Sequence, residues 1–153
     1  MIQVYQVAIA TRLTVGGGAV LCTIFIHALA LDATVNFFHR EARLGHAGMR
    51  YLINLTIVVL VMSFSFVAHM VEVAVWALLF MICGEFQTFG AAYYHSAVNY
   101  STLGYGDVIM SPSWKLLGPL EAADGSLMFG VSTAMVFSVI LRLIQTRFTD
   151  LRD

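Results

Sequence analysis

Charge is what this sequence is shortest of. Only 11% of its 153 residues are Asp, Glu, Lys or Arg, against 59% hydrophobic, where an ordinary soluble domain carries about a quarter charged residues. A chain of this length cannot hide so much apolar surface in a core of its own. A soluble globular protein is therefore excluded and a lipid bilayer is the expected surrounding. A basic surplus is missing as well: the net charge of −1 excludes a phosphate backbone, so no nucleic acid is expected as a partner. Cysteine is scarce, and Cys22 and Cys83 lie in apolar stretches without metal-ligand spacing, where a free cysteine behaves as a small hydrophobe. The N-terminus lacks the basic start and small-residue cleavage site of a secretory signal, so the first apolar segment is expected to stay in the mature chain.

Long apolar runs are what remains. Val15 to Phe38 is long enough for a first span, since a membrane helix needs about 20 residues. The Gly16-Gly17-Gly18 run is expected to loosen or kink it. His39 to Arg50 is polar, basic and glycine-containing and reads as a linker. Tyr51 to Cys83 is longer than one perpendicular span and too short for two, which predicts a single long helix. After a polar break at Gly84 to Gln87, Phe89 to Tyr100 has helical character but cannot cross a membrane. The glycine-rich segment that follows it gives the form of a re-entrant loop, tolerated only where protein surrounds it or water fills it. A last span is expected from near Pro119, a residue favoured in a helix's first turn, through Leu141. Two domains follow: 1–50, a transmembrane helix with a basic linker, and 51–153, a pore-like unit. Arg40, Arg43 and Arg50 in one loop and Arg142, Arg147 and Arg152 after the last span are both expected in the cytoplasm by the positive-inside rule, leaving the N-terminus outside. Arg12 opposes this weakly.

The chemistry sits in Ser101-Thr102-Leu103-Gly104-Tyr105-Gly106-Asp107. A dehydrated potassium ion needs its hydration oxygens replaced by weak oxygen dipoles, and consecutive backbone carbonyls aimed inward supply them. Alternating left- and right-handed backbone is cheap only with glycine, which accounts for Gly104 and Gly106. Thr102 adds a hydroxyl acceptor, Tyr105 is expected to point away from the ion path, and Asp107 to cap the outer end. One chain supplies one strand of such a cage, so four chains are expected around one axis. Phe89–Tyr100 would aim the partial negative charge of its C-terminus at the central cavity. In keeping with that, no charge occurs from Gly125 to Leu141.

On these residues the segment from about Tyr51 to Arg147 resembles the pore domain of potassium channels, with outer helix, pore helix, filter and inner helix. The resemblance implies an all-α membrane protein, a homotetramer around a central pore with one added N-terminal helix. The implied activity is passive potassium conduction in the plasma membrane and no catalysis. No cofactor is implied beyond potassium ions held by Thr102, Leu103, Gly104, Tyr105 and Gly106; the partners are copies of the chain, lipid and potassium. Leu103 replaces the family's usual valine. Gly125 and Gly130 fall near the inner-helix hinge glycines. Val98 stands where some members carry a glutamate, and Tyr94 and His95 take the place of two tryptophans that brace the filter's Tyr and Asp. His95 is thus expected to support the filter through Tyr105 or Asp107, with pH-dependent closure as a second role, since histidine titrates near neutrality.

His69 and Glu72 lie one turn apart near the middle of a span. Polar glue to His27 or Asp32 of the first helix, a proton sensor and a metal site all remain open for them. The alternatives to a potassium channel are a weakly selective cation channel and a membrane-embedded metal-binding protein using the His69/Glu72 pair. No regular arginine repeat marks a voltage sensor.

Overall fold

The computed structural model describes residues 2–44 and 51–149. Four helices account for nearly all of them: α1 (Ile2–Arg43), α2 (Tyr51–Ile82), α3 (Phe89–Tyr100) and α4 (Leu117–Thr149). Three, α1, α2 and α4, are long and apolar enough to cross a membrane. Among the described residues no β-sheet forms, so the strand after α3 is an extended segment without a paired neighbour. The all-helical membrane architecture expected from the sequence is the one observed.

Two boundaries need correction. The first helix is not confined to Val15–Phe38: it runs for 42 residues, to Arg43. His39 to Arg43 contains no glycine or proline, and Arg and Glu are good helix formers, so the polar stretch continues the helix instead of beginning a linker. Nor does the glycine run interrupt α1. Gly16 instead marks where α1 crosses α4: a Cβ there would lie 2.5 Å and 2.8 Å from the side chains of Leu120 and Leu117. Arg50 and Arg152 lie outside the described residues. α2 and α3 follow the expected bounds; α4 starts at Leu117, holds Pro119 in its first turn, where no intrahelical donor is required, and runs past Leu141 to Thr149, since no glycine or proline follows Leu141 to stop it.

Each helix around the loop ends for a local reason. At the end of α2, Gly84 takes a left-handed conformation (φ 77°). Its amide donates to Met81 O at 2.9 Å and that of Glu85 to Phe80 O at 3.0 Å. That is a Schellman motif, with glycine at the left-handed position where a Cβ is least welcome. The Thr88 side chain then caps the start of α3, accepting from the Ala91 amide, as threonine does at N-caps.

Two apolar cores tie the spans at opposite ends. One joins Ala19 of α1, Val73, Trp76 and Phe80 of α2, Tyr100 of α3, and Leu117 and Met128 of α4. The other joins Ile57 and Val61 of α2 to Val139 and Leu143 of α4, with Phe37 and Phe38 of α1 packed against them. The C-terminal ends of α1 and α4 therefore share one end of the bundle with the start of α2. The short α3 sits at the other end with the segment that follows it.

Candidate functional site: the strand after the short helix and the polar cluster beneath it

The C-terminus of α3 repeats the motif that ends α2, with one substitution of consequence. The Thr102 amide donates to Asn99 O at 2.8 Å and the Leu103 amide to Val98 O at 3.0 Å, again a Schellman pair. Its left-handed position is Thr102, at φ 61°, the only described non-glycine residue with positive φ. For a β-branched side chain this is a true outlier, costing roughly 1–2 kcal/mol. Gly104 (φ 58°) and Gly106 (φ 71°) are left-handed too, while Leu103 and Tyr105 between them are not. Every second residue from 102 to 106 is thus left-handed, the alternation that turns successive carbonyls to one side of a strand. Thr102 to Asp107 are all exposed, Leu103 at 59% and Tyr105 at 67%.

Behind the strand, α3 supplies the supports. The Tyr94 hydroxyl donates to Asp107 Oδ2 at 2.7 Å. His95 is buried, and its Nδ1 lies 3.0 Å from Val108 O, one residue beyond Asp107, while Asn99 Nδ2 lies 2.9 Å from its Nε2. Within the chain its hydrogen bonds go to Val108 and Asn99, not to Tyr105 or Asp107. A carbonyl can only accept and an amide NH2 can only donate, so His95 carries its proton on Nδ1 and is neutral. Burial pushes its imidazole below the ordinary histidine range. Val98, buried, offers its carbonyl to the amides of both Leu103 and Gly104. Further out, Glu85 accepts from the Ser111 amide and hydroxyl at 2.6 Å each and fastens the return segment to the end of α2.

On the inward side, α4 presses directly on the end of α3. A Cβ at Gly125 would lie 2.1 Å from the Tyr100 carbonyl oxygen, so only glycine fits this crossing. Around Gly130 there is open space, and α4 runs unbroken through both.

Below Tyr100 the buried polar residues converge. Glu72 Oε1 lies 2.8 Å from His27 Nδ1 and Oε2 3.0 Å from His69 Nδ1. The Tyr100 hydroxyl donates to Glu72 Oε2, and Ser132 Oγ lies 3.1 Å and 3.0 Å from the Nε2 atoms of His27 and His69. Three of the four polar residues singled out from the sequence meet here. Asp32 does not: it is exposed and accepts from Asn36 Nδ2 on its own helix at 2.9 Å. The ligand-type atoms of His27, His69 and Glu72 lie within 4.8 Å of one another, but they are engaged with each other.

Neither Tyr100 nor Ser132 was singled out from the sequence. Glu121 and Asp124 were missed as well. Glu121 Oε1 is 2.5 Å from Ser96 Oγ, and Asp124 Oδ2 lies 2.7 Å from Thr23 Oγ1 and 2.9 Å from Trp76 Nε1. Both acids are buried, with Glu121 Oε2 and Asp124 Oδ1 unpartnered. The rule that intramembrane acids are functional suspects, which picked out Glu72, applies equally to these two.

A family model described as ion channel matches residues 55–142, from α2 through α3 and the alternating strand into α4. The chain belongs to the ion channel family. No curated protein and no solved structure matches it. The match leaves α1 outside, so this channel subunit carries one apolar helix more than the family's two-helix pore unit. Yet α1 is not peripheral to the channel, because His27 reaches the cluster beneath the pore helix and Thr23 reaches Asp124 of the inner helix.

Proposed function

We propose that four copies of this chain form a potassium-selective pore, with Thr102, Leu103, Gly104, Tyr105 and Gly106 of each as the ion-binding filter. The observation that carries the reading is the left-handed backbone at Thr102, Gly104 and Gly106. At the end of α2 the same turn uses glycine; at the end of α3 it keeps threonine despite the strain. Strain held at one position is a mark of function, and a threonine hydroxyl there provides the innermost oxygen ring for a dehydrated cation. The exposure of the strand in a single chain supports completion by neighbouring copies. A cavity of about 540 Å³ behind it, lined by His95, Thr102, Gly104 and Gly106 among others, offers room for a neighbour's Tyr105.

Potassium moves passively down its gradient, with no cofactor and no catalysis. Gly125 and Gly130 remain the positions at which the inner helix would bend on opening. Arg40, Arg43 and Arg142 all lie toward the end of the bundle opposite α3, which supports a cytoplasmic C-terminus, an outward-facing filter and an external N-terminus in the plasma membrane. The test is potassium efflux from liposomes containing purified protein, with sodium substituted in parallel vesicles. Efflux with potassium and background rates with sodium are expected; equal rates for both would replace this reading with a weakly selective cation channel.

A further inference from the structure

Conduction through the filter leaves the polar cluster beneath it without a task. Its hydrogen bonds close a ring of four links: Glu72 to His27 Nδ1, Glu72 to His69 Nδ1, and Ser132 to the Nε2 atoms of both histidines. Tyr100 enters from outside as a donor to Glu72 Oε2. A carboxylate offers lone pairs only, a neutral imidazole one N–H and one lone pair, and a hydroxyl one O–H. With Glu72 ionised, as donation from Tyr100 favours, both Nδ1 atoms must carry protons to reach it. Ser132 then donates to one Nε2 and accepts from the other, which must therefore be protonated too. The four links close with one histidine neutral and the other an imidazolium. Its charge cancels that of Glu72, so the ring as a whole is neutral, the condition under which burial at membrane depth costs least.

We propose that His27, His69, Glu72 and Ser132 form a binding site for one exchangeable proton, shared by the two histidines through the Ser132 hydroxyl, and that this proton fastens the N-terminal helix to the base of the pore loop. Exchange is balanced. As the imidazolium Nε2 proton passes to Ser132 Oγ, the hydroxyl's own proton passes to the other Nε2, and every link is remade. Each helix contributes: α1 gives His27, α2 His69 and Glu72, α3 Tyr100, and α4 Ser132. Phe129 of α4 packs its ring 4.5 Å from that of His69. The other ionisable groups facing the cluster are Asp124, engaged by Thr23 and Trp76, and Glu121 on Ser96. Among the described residues none of the ring's hydrogen-bond partners is Lys or Arg, so the imidazolium is the cation that balances Glu72. A groove of about 430 Å³ between α2 and α4 reaches His69 and Ser132.

The closed ring tolerates one proton count. One proton more turns two N–H groups on Ser132 and leaves its own proton without an acceptor. One fewer leaves a bare Nε2 facing an oxygen with nothing between them. The lost proton breaks one of the two links through Ser132; the added one leaves both in place, with Ser132 accepting twice, but gives the cluster a net positive charge at membrane depth.

Nitrogen-15 solid-state NMR of histidine-labelled protein in bilayers at neutral pH tests this, with each ring assigned by single replacement with glutamine. Three N–H protons are expected over the four ring nitrogens of His27 and His69. In Glu72→Gln the amide accepts from one Nδ1–H and donates to the other Nδ1, so the ring still closes, now with two ring N–H protons. The expected count therefore falls from three to two while the fold persists. Two or four protons in the unaltered protein would overturn the proposal, even if the variant fails to fold. So would a stoichiometric transition metal found with the purified protein. The count needs no ion flux, and it stands or falls separately from potassium selectivity.

Discussion

The proposed filter strand and the histidine–glutamate ring are adjacent polar structures, yet they meet the same constraint in opposite ways. In the strand, Thr102 to Asp107 are exposed in the single chain, and in the function proposed above their carbonyls are met by other copies and ions. In the ring, His27, His69, Glu72 and Ser132 are all buried, and their side chains complete each other's hydrogen bonds within one chain. Polar groups in lipid must be satisfied internally or line a water-filled path. The ring takes the first option, and the proposed function gives the strand the second. What is left open can exchange its occupant, and what is closed can hold the scaffold. Tyr100 connects the two, since it ends α3 just before the strand and donates to Glu72.

Breaking one region without the other sharpens the comparison. The largest effect is expected from Gly104→Ala, which forces a Cβ into the left-handed position at φ 58°. Potassium efflux should drop to background while stability falls by only about 1–2 kcal/mol, the strain of one left-handed Cβ; a larger loss would show that the strand is part of the scaffold. Ser132→Ala should do the reverse. It opens both Nε2 links and should cost about 1–3 kcal/mol in unfolding experiments, the range for buried groups left unpaired, while potassium over sodium preference is retained. Thr102→Gly separates strain from chemistry at one residue. Removing the Cβ at φ 61° should stabilise the turn by roughly 1 kcal/mol and yet lower potassium preference in flux assays; unchanged preference would remove the hydroxyl from the filter.

The smallest effect concerns His95. Its neutral form makes both of its hydrogen bonds, and burial holds its folded value below the ordinary 6.5. As pH falls through about 6.5 the unfolded chain takes up the proton first, so stability from this support is complete above that point and declines below it. A His95→Gln variant should lose this acid sensitivity in pH-dependent unfolding, and an unchanged acid profile would assign the effect elsewhere.

The spans, the short helix and the strand were legible in the sequence because each is written locally, in an apolar run, a run too short to cross, or a glycine alternation. Thr88 and Gly84 mark their boundaries by equally local chemistry. The ring was only partly legible. His69 and Glu72 share a helical turn and His27 was a named partner, but Ser132 lies 63 residues beyond His69 and looks like any small residue of a membrane helix. Asp32 carried the stronger signal as an intramembrane acid, yet it faces outward and bonds within its own helix. Which polar residues meet depends on how the spans cross, and those crossings are set by single positions such as Gly125, whose need for glycine no periodicity reveals. The strain at Thr102 was hidden for another reason: the residue reads as a ligand in the motif, and only the backbone shows that it also fills a glycine's place.

The central claim, a potassium-selective pore built from this strand, is tested most directly by the reversal potential of single channels in planar bilayers with potassium on one side and sodium on the other. The expected result is a current that reverses strongly in favour of potassium, and a Gly104→Ala protein that gives no such current. A reversal near zero from the unaltered protein would contradict it.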